Sequence, residues 1–166
     1  MLRDKSGWNG ASINQRRGRG VACNAYAGHT YIAYVVDVSV DPENSVRVDR
    51  VVAAVDCGLV VNPVGVEQQM EGGIIWGISS ALKGEITFHG GTAQQSSFAD
   101  FGVARMRDTP VMEIHIVDSG ALQPFGMGEP PVPPIVPAIA NAVFAATGTR
   151  IRRLPIRPEQ LKQGAA

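Results

Sequence analysis

Residues 53–77 read AAVDCGLVVNPVGVEQQMEGGIIWG, and the break between Gly58 and Pro63 decides how the chain is organised. Before the break, Val51 and Val52 lead into an apolar stretch closed by Gly58, the pattern of a buried strand. After it, Asn62 and Pro63 form a helix start. The Asn side chain can accept an N–H of the first turn, and a proline at the first helical position lacks a donor that the helix would leave unpaired anyway. At about 100° per residue, Val66, Met70, Ile74, Ile78 and Leu82 fall on one apolar side and Gln69, Gly72, Gly73, Trp76 and Ser80 on another, so the helix is predicted to reach about Leu82. Each interior glycine costs about 1 kcal/mol against alanine. Gly72, Gly73 and Gly77 therefore mark a place that must be approached closely, by another backbone or by a ligand.

Working outward, residues 20–40 (GVACNAYAGHTYIAYVVDVSV) hold two β-branched and aromatic runs broken at Ala27, Gly28 and His29, which predicts two strands. Residues 41–44 (DPEN) are a turn, and the alternating Val46 and Val48 open the third strand. Residues 1–17 are polar and basic with no sustained apolar period, a loose lead-in. On the other side, Gly84 to Phe88 is a short strand, residues 89–102 a loop, and Val111 to Val117 an alternating strand. Residues 121–134 form a second loop. A helix with Pro137 in its first turn and Gly148 just past its end follows, and Arg150 to Ile156 form a last strand. The expected fold is α+β, a mixed or antiparallel sheet with two main helices, organised as a lead-in (1–17), one domain (18–161) and a tail (162–166).

The 166 residues, 45% hydrophobic and 18% charged, suffice for one ordinary globular domain. Fifteen basic and 15 acidic side chains cancel, so the overall charge calls for neither nucleic acid nor an anionic membrane. No apolar run is long enough to span a bilayer, and the start MLRDKSGWNG lacks the apolar core of a signal peptide; the chain reads as soluble. Cys23 and Cys57 stand without a partner motif, which argues against an iron–sulfur or zinc site here, and no side chain is assigned as a metal ligand.

The chemistry concentrates in residues 126–131, GMGEPP. Gly126 and Gly128 let main-chain N–H groups approach a ligand, and Glu129 follows in a stretch stiffened by Pro130 and Pro131. A fixed carboxylate beside open backbone suits a general base; an exposed turn glutamate fits the same composition. His29, His89 and His115 are scattered over separate segments and read as structural or exposed. Cys57 reads as a small buried thiol, Trp76 as packing, and Arg150, Arg152 and Arg153 as a solvated or ion-paired face.

Three blocks, residues 53–77, QQSSFADFGVARMRDTPVMEIHIV (94–117) and FGMGEPPVPPIVPAIANAVFAATGTRIRRLPI (125–156), together resemble the C-terminal part of the molybdopterin-binding subunit of the xanthine dehydrogenase and aldehyde oxidase family. The branch resembled is that of the isoquinoline 1-oxidoreductase beta subunit. The resemblance runs from about Gly18 to Leu161. It implies a molybdenum hydroxylase acting on an N-heterocycle or aldehyde with water-derived oxygen, and a fragment of the molybdenum-cofactor-binding domain as the fold. It implies that Glu129 is the general base on the molybdenum-bound hydroxyl. It also implies that Gln69, with Gly72 and Gly73 beside it, and the Gly126, Met127 and Gly128 backbone contact the molybdopterin, in its cytosine dinucleotide form.

The same resemblance implies partners: the remainder of the molybdenum subunit and an iron–sulfur subunit carrying the clusters. A chain holding only the end of such a subunit lacks half of the pocket, so no turnover is expected from it alone. It would also expose an apolar stripe at Ile135, Ile139 and Val143. The other readings are a non-catalytic module for cofactor binding or subunit assembly, and a plain scaffold domain whose glycine-rich helix serves packing. The substrate and the compartment, cytoplasm or periplasm, stay open.

Overall fold

The computed structural model of the protein describes residues 1–9, 12–14 and 16–161. Its frame is a five-stranded sheet of order β1 (Ser12–Asn14), β2 (Arg17–Tyr26), β3 (Thr30–Val40), β4 (Val46–Asp56) and β7 (Val111–Ile116). The first four are antiparallel to their neighbours, and β7 joins β4 in parallel, from Arg50 opposite Val111 to Val55 opposite Ile116. A parallel neighbour cannot be reached through a tight turn. Between β4 and β7 the chain accordingly runs through helix α2 (Pro63–Leu82) and a long excursion, which carries the two-stranded ribbon of β5 (Phe88–His89) and β6 (Thr92–Ala93) and one turn of 3-10 helix at Met106–Asp108.

Strand β3 keeps period two: Ile32, Tyr34, Val36, Val38 and Val40 all enter the core. Strand β4 changes parity. Asp37 pairs with Arg50 but Val38 pairs with Val48, so Asp49 is an extra residue, and the core positions shift from Val48 to Val51, Ala53 and Val55. That bulge explains the broken alternation in the sequence. Helix α3 (Val132–Thr147) packs on β2 and β3 against backbone: a Cβ on Gly18 would lie 2.1 Å from the Ala142 carbonyl oxygen, and one on Gly20 would lie 2.3 Å from that of Ala138. Helix α2 packs in turn on α3. A Cβ on Gly73 would lie 2.4 Å from Pro131 Cβ, and one on Gly77 would lie 1.8 Å from Ile135 Cγ2.

Helix α2 starts and stops where the sequence puts it. Asn62 caps it by accepting the Gly65 N–H at 3.2 Å, and Pro63 is its first residue. Several expectations change. The lead-in contains helix α1 (Leu2–Ser6), whose Ser6 is buried, and the edge strand β1. Gly84 to Thr87 are not a strand; pairing starts only at Phe88. Helix α3 begins five residues before Pro137, because Pro133 and Pro134 fall in a first turn, where no N–H has an intrahelical acceptor; Pro137 lies inside the helix. Arg150 to Ile156 form no strand and are tied back by the Ile156 N–H to the Ala81 carbonyl at 2.7 Å. Ile135, Ile139 and Val143 are fully buried under the sheet rather than exposed. The tail at 162–166 lies outside the described residues.

Across the sheet, charged side chains pair between strands. Arg19 forks onto Asp37 at 2.5 and 2.8 Å, and Arg50 binds Glu113 at 2.7 Å, linking neighbouring strands. Asp37 holds the Arg19 guanidinium charged beyond its ordinary range, chiefly through this hydrogen bond and against the cost of burial.

Candidate active site

The segment from Phe125 to Pro131 is pinned at both ends. Upstream, the chain just past β4, from Cys57 to Leu59, holds it: the Leu59 N–H donates to the Gln123 carbonyl and the Phe125 N–H to the Cys57 carbonyl, each at 2.9 Å. Gly58, at φ 71°, makes the bridge to Pro124, and a Cβ there would meet the Gln123 carbonyl oxygen at 2.1 Å. Downstream, the Val132 N–H donates to the Glu129 carbonyl at 2.9 Å as the chain turns into α3. The buried Tyr34 hydroxyl donates to the Pro131 carbonyl at 3.0 Å.

Between these anchors the backbone is open. Among the described residues, the N–H groups of Gly126, Met127 and Gly128 donate to no group of the chain, while the Met127 side chain plugs into the core. Gly126 has empty space where a side chain would stand. The Gln69 amide approaches from α2, donating to the Met127 carbonyl at 3.4 Å and lying 3.6 Å from where a Gly128 Cβ would be. Such a run of N–H groups beside a side-chain amide has the donors that an anionic or oxygen-rich group would need.

Glu129 is exposed on this loop. Its Oε2 accepts the Tyr26 hydroxyl at 2.8 Å, across 103 residues of sequence; Oε1 has no partner among the described residues. The tie works in both directions, for the hydrogen bond to Glu129, then its charge, push the Tyr26 phenol above its ordinary range. His29, read from sequence as structural or exposed, lies here too: its ring stacks on Phe125 at 4.4 Å between centroids and 14° between planes. The sequence offers only a weak signal for this pair, an aromatic and a histidine flanking a glycine turn.

The sequence-predicted residues divide. Gln69, Met127, Gly128 and Glu129 come together, with Gly126 in the same loop. Gly73 is turned to Pro131, so its missing side chain is accounted for by helix packing, and Gly72 faces away onto a different surface with nothing within 4 Å. That surface is an apolar groove of about 860 Å³ lined by Gln68, Gly72, Trp76, Phe98 and Phe101 among others. Trp76, expected to pack, is 68% exposed there. Cys57 is buried, and burial, then the neighbouring Asp56 charge, push its thiol up, so no nucleophile is poised there. Both cysteines are free. Arg150 stacks on Phe144 at 3.6 Å. Among the described residues no three His, Cys, Asp or Glu side chains gather as a metal-ligand set, and no helix is long and apolar enough to cross a membrane.

Residues 4–110 match the family described as molybdopterin cofactor-binding domain. The chain belongs to that family. The beta chain of isoquinoline 1-oxidoreductase from Brevundimonas diminuta is 36% identical to this cofactor-binding domain over 158 residues, 93% of the chain and 20% of that protein. A nicotinate dehydrogenase subunit from Pseudomonas putida is 35% identical over 154 residues, 88% of the chain and 13% of that protein. The fold is shared with the aldehyde oxidoreductase of Desulfovibrio desulfuricans, with a TM-score of 0.73 and 26% identity over 81% of this chain and 15% of that one. The domain thus spans only a fifth or less of these three proteins, and its resemblance to the molybdopterin-binding subunits of the xanthine dehydrogenase and aldehyde oxidase family is established.

Proposed function

We propose that the chain is the base-bearing portion of a molybdenum hydroxylase, in which Glu129 accepts the proton released as an N-heterocycle or aldehyde is oxidatively hydroxylated. The observation that carries the reading is the arrangement at Glu129. The carboxylate sits on a loop anchored at both ends; one oxygen is tied to Tyr26, the other has no partner among the described residues, and the same loop carries N–H groups that donate to none of them.

The residues fit a molybdopterin group. Its anionic and oxygen-rich portions need donors, and the Gly126, Met127 and Gly128 N–H groups with the Gln69 amide provide them where Gly126 leaves room for close approach. Gly72 and Gly73 were expected to contribute as well, but Gly73 is buried against Pro131 and Gly72 opens onto the apolar groove. When bound, the cofactor supplies the two-electron oxidation and brings the water-derived oxygen to the substrate. The chain's own part is narrower. Tyr26 holds Oε2, the loop anchors fix the backbone that carries the carboxylate, and Oε1 receives the proton. A base fixed beforehand needs no reorganisation when the proton moves.

The cytosine dinucleotide form, an iron–sulfur subunit that takes the electrons, and the remainder of the molybdenum subunit complete the proposal. Glu129 is exposed in this chain, and the missing portion would close the pocket over it. The chain alone is therefore expected to give no substrate-dependent dye reduction. The deciding experiment is Glu129→Gln in the assembled complex, with molybdenum and pterin measured alongside turnover. Loss of at least a hundredfold in kcat at unchanged cofactor content is the expected result. Unchanged turnover would reduce the chain to a module that holds cofactor or subunits without chemistry.

A further inference from the structure

We infer that the tip of the β2–β3 hairpin is the positioning device for Glu129, with Tyr26 orienting the carboxylate and His29 clamping the hairpin to the loop that carries it. The inference rests on the proposal that Glu129 is the base. The hairpin is stiff enough for the task. Its strands pair without interruption from Arg17 opposite Ser39 to Tyr26 opposite Thr30. The connection turns tightly, with positive φ at Ala27 (50°) and Gly28 (77°), and the Tyr31 hydroxyl donates to the Gly28 carbonyl at 2.8 Å, bracing it.

From that tip two side chains reach the loop at separate points. The Tyr26 hydroxyl meets Oε2 of Glu129 at 2.8 Å, and the His29 ring covers Phe125 four residues earlier. Among the described residues, His29 Nδ1 is buried without a hydrogen-bond partner, and the ring stacks on Phe125. Together they span the whole open stretch of Gly126, Met127 and Gly128. A glutamate has three rotatable bonds, and backbone anchors alone would leave its carboxylate free to swing. Tyr26 removes that freedom from one oxygen and so presents the other in one direction. A phenol of ordinary pKa, about 10, is already protonated at neutral pH, and the Glu129 contact, which raises it, extends the donor's range further into alkaline pH.

Two measurements test this. In the assembled complex, Tyr26→Phe is expected to lower kcat about tenfold while KM and molybdenum content stay unchanged, because orientation is lost but neither cofactor nor substrate contact is. In the 166-residue chain, the ultraviolet difference between wild type and Tyr26→Phe isolates the Tyr26 phenol. It should ionise above the ordinary value of about 10 and fall back toward it in Glu129→Gln. A Tyr26 that ionises at its ordinary value in the wild type, or a Tyr26→Phe complex with kcat within twofold of wild type while Glu129→Gln is inactive, overturns the inference and leaves the role of Glu129 intact. A Glu129→Gln complex that turns over normally removes the role of Glu129, with the phenol titration still reporting on the contact itself.

Discussion

Gly77→Ala and Gly72→Ala are the same chemical change in the same helix, and the structure predicts opposite signs. Each gains about 1 kcal/mol of helix propensity. At Gly77 the new methyl would stand 1.8 Å from Ile135 Cγ2, 3.2 Å from its Cβ and 3.4 Å from the Val132 carbonyl oxygen. Carbon atoms do not approach below about 3.5 Å without repulsion, and Ile135, fully buried, has nowhere to retreat, so α2 and α3 must part. Overpacking of this kind costs about 1 to 3 kcal/mol; the upper end applies to so deep an overlap, giving a net loss of about 2 kcal/mol after the propensity gain. At Gly72 nothing lies within 4 Å, and the propensity gain stands alone. For a chain of this size 1 kcal/mol moves Tm by about 2 to 4 °C. Thermal unfolding followed by circular dichroism should therefore place Gly77→Ala about 4 to 8 °C below wild type and Gly72→Ala slightly above it. A Gly77→Ala variant as stable as wild type would refute the α2–α3 contact, and with it the packing explanation for that glycine.

Two further outcomes follow from the same geometry. Tyr34→Phe strips the hydroxyl that ties β3 to the Pro131 carbonyl at the N-cap of α3 and should cost about 1 kcal/mol in urea unfolding; a neutral result would mean that the loop is held without it. Asp100 accepts the Ser96 and Ser97 N–H groups, and these bonds, that of Ser96 first, hold its carboxyl below the ordinary range. A depressed carboxylate stabilises the fold above its unfolded value, and that contribution is lost as pH falls through the folded value. The Ser96 and Ser97 amide resonances should consequently stay fixed down to the ordinary carboxylate range and shift only below it; movement near neutral pH would contradict the turn.

Local patterns were readable because their physics is local. Asn62 and Pro63 announce a helix through capping alone, and the even positions of β3 announce a buried face through pleat alone. The boundaries that escaped reading depend on distant partners. Pro137 resembles a helix start until Pro133 and Pro134 are seen to occupy a first turn tied to Glu129, and Ile135 resembles an orphaned surface until α2 covers it. The candidate site divides the same way. GMGEPP carries its own signal, two glycines, a carboxylate and stiffening prolines, whereas nothing near Tyr26 names a partner 103 residues away.

From its residues alone, the chain determines three strands up to Asp56, a capped glycine-bearing helix, and a rigid turn that presents Glu129. Those features depend on side-chain periodicity, capping and backbone freedom within a few residues. Tertiary structure decided that Gly73 and Gly77 serve helix packing while Gly72 stays open, that β7 lies parallel to β4, and that Tyr26 and His29 close on the loop. Contacts between segments far apart in the chain depend on how whole layers stack, and no short window of residues carries that information.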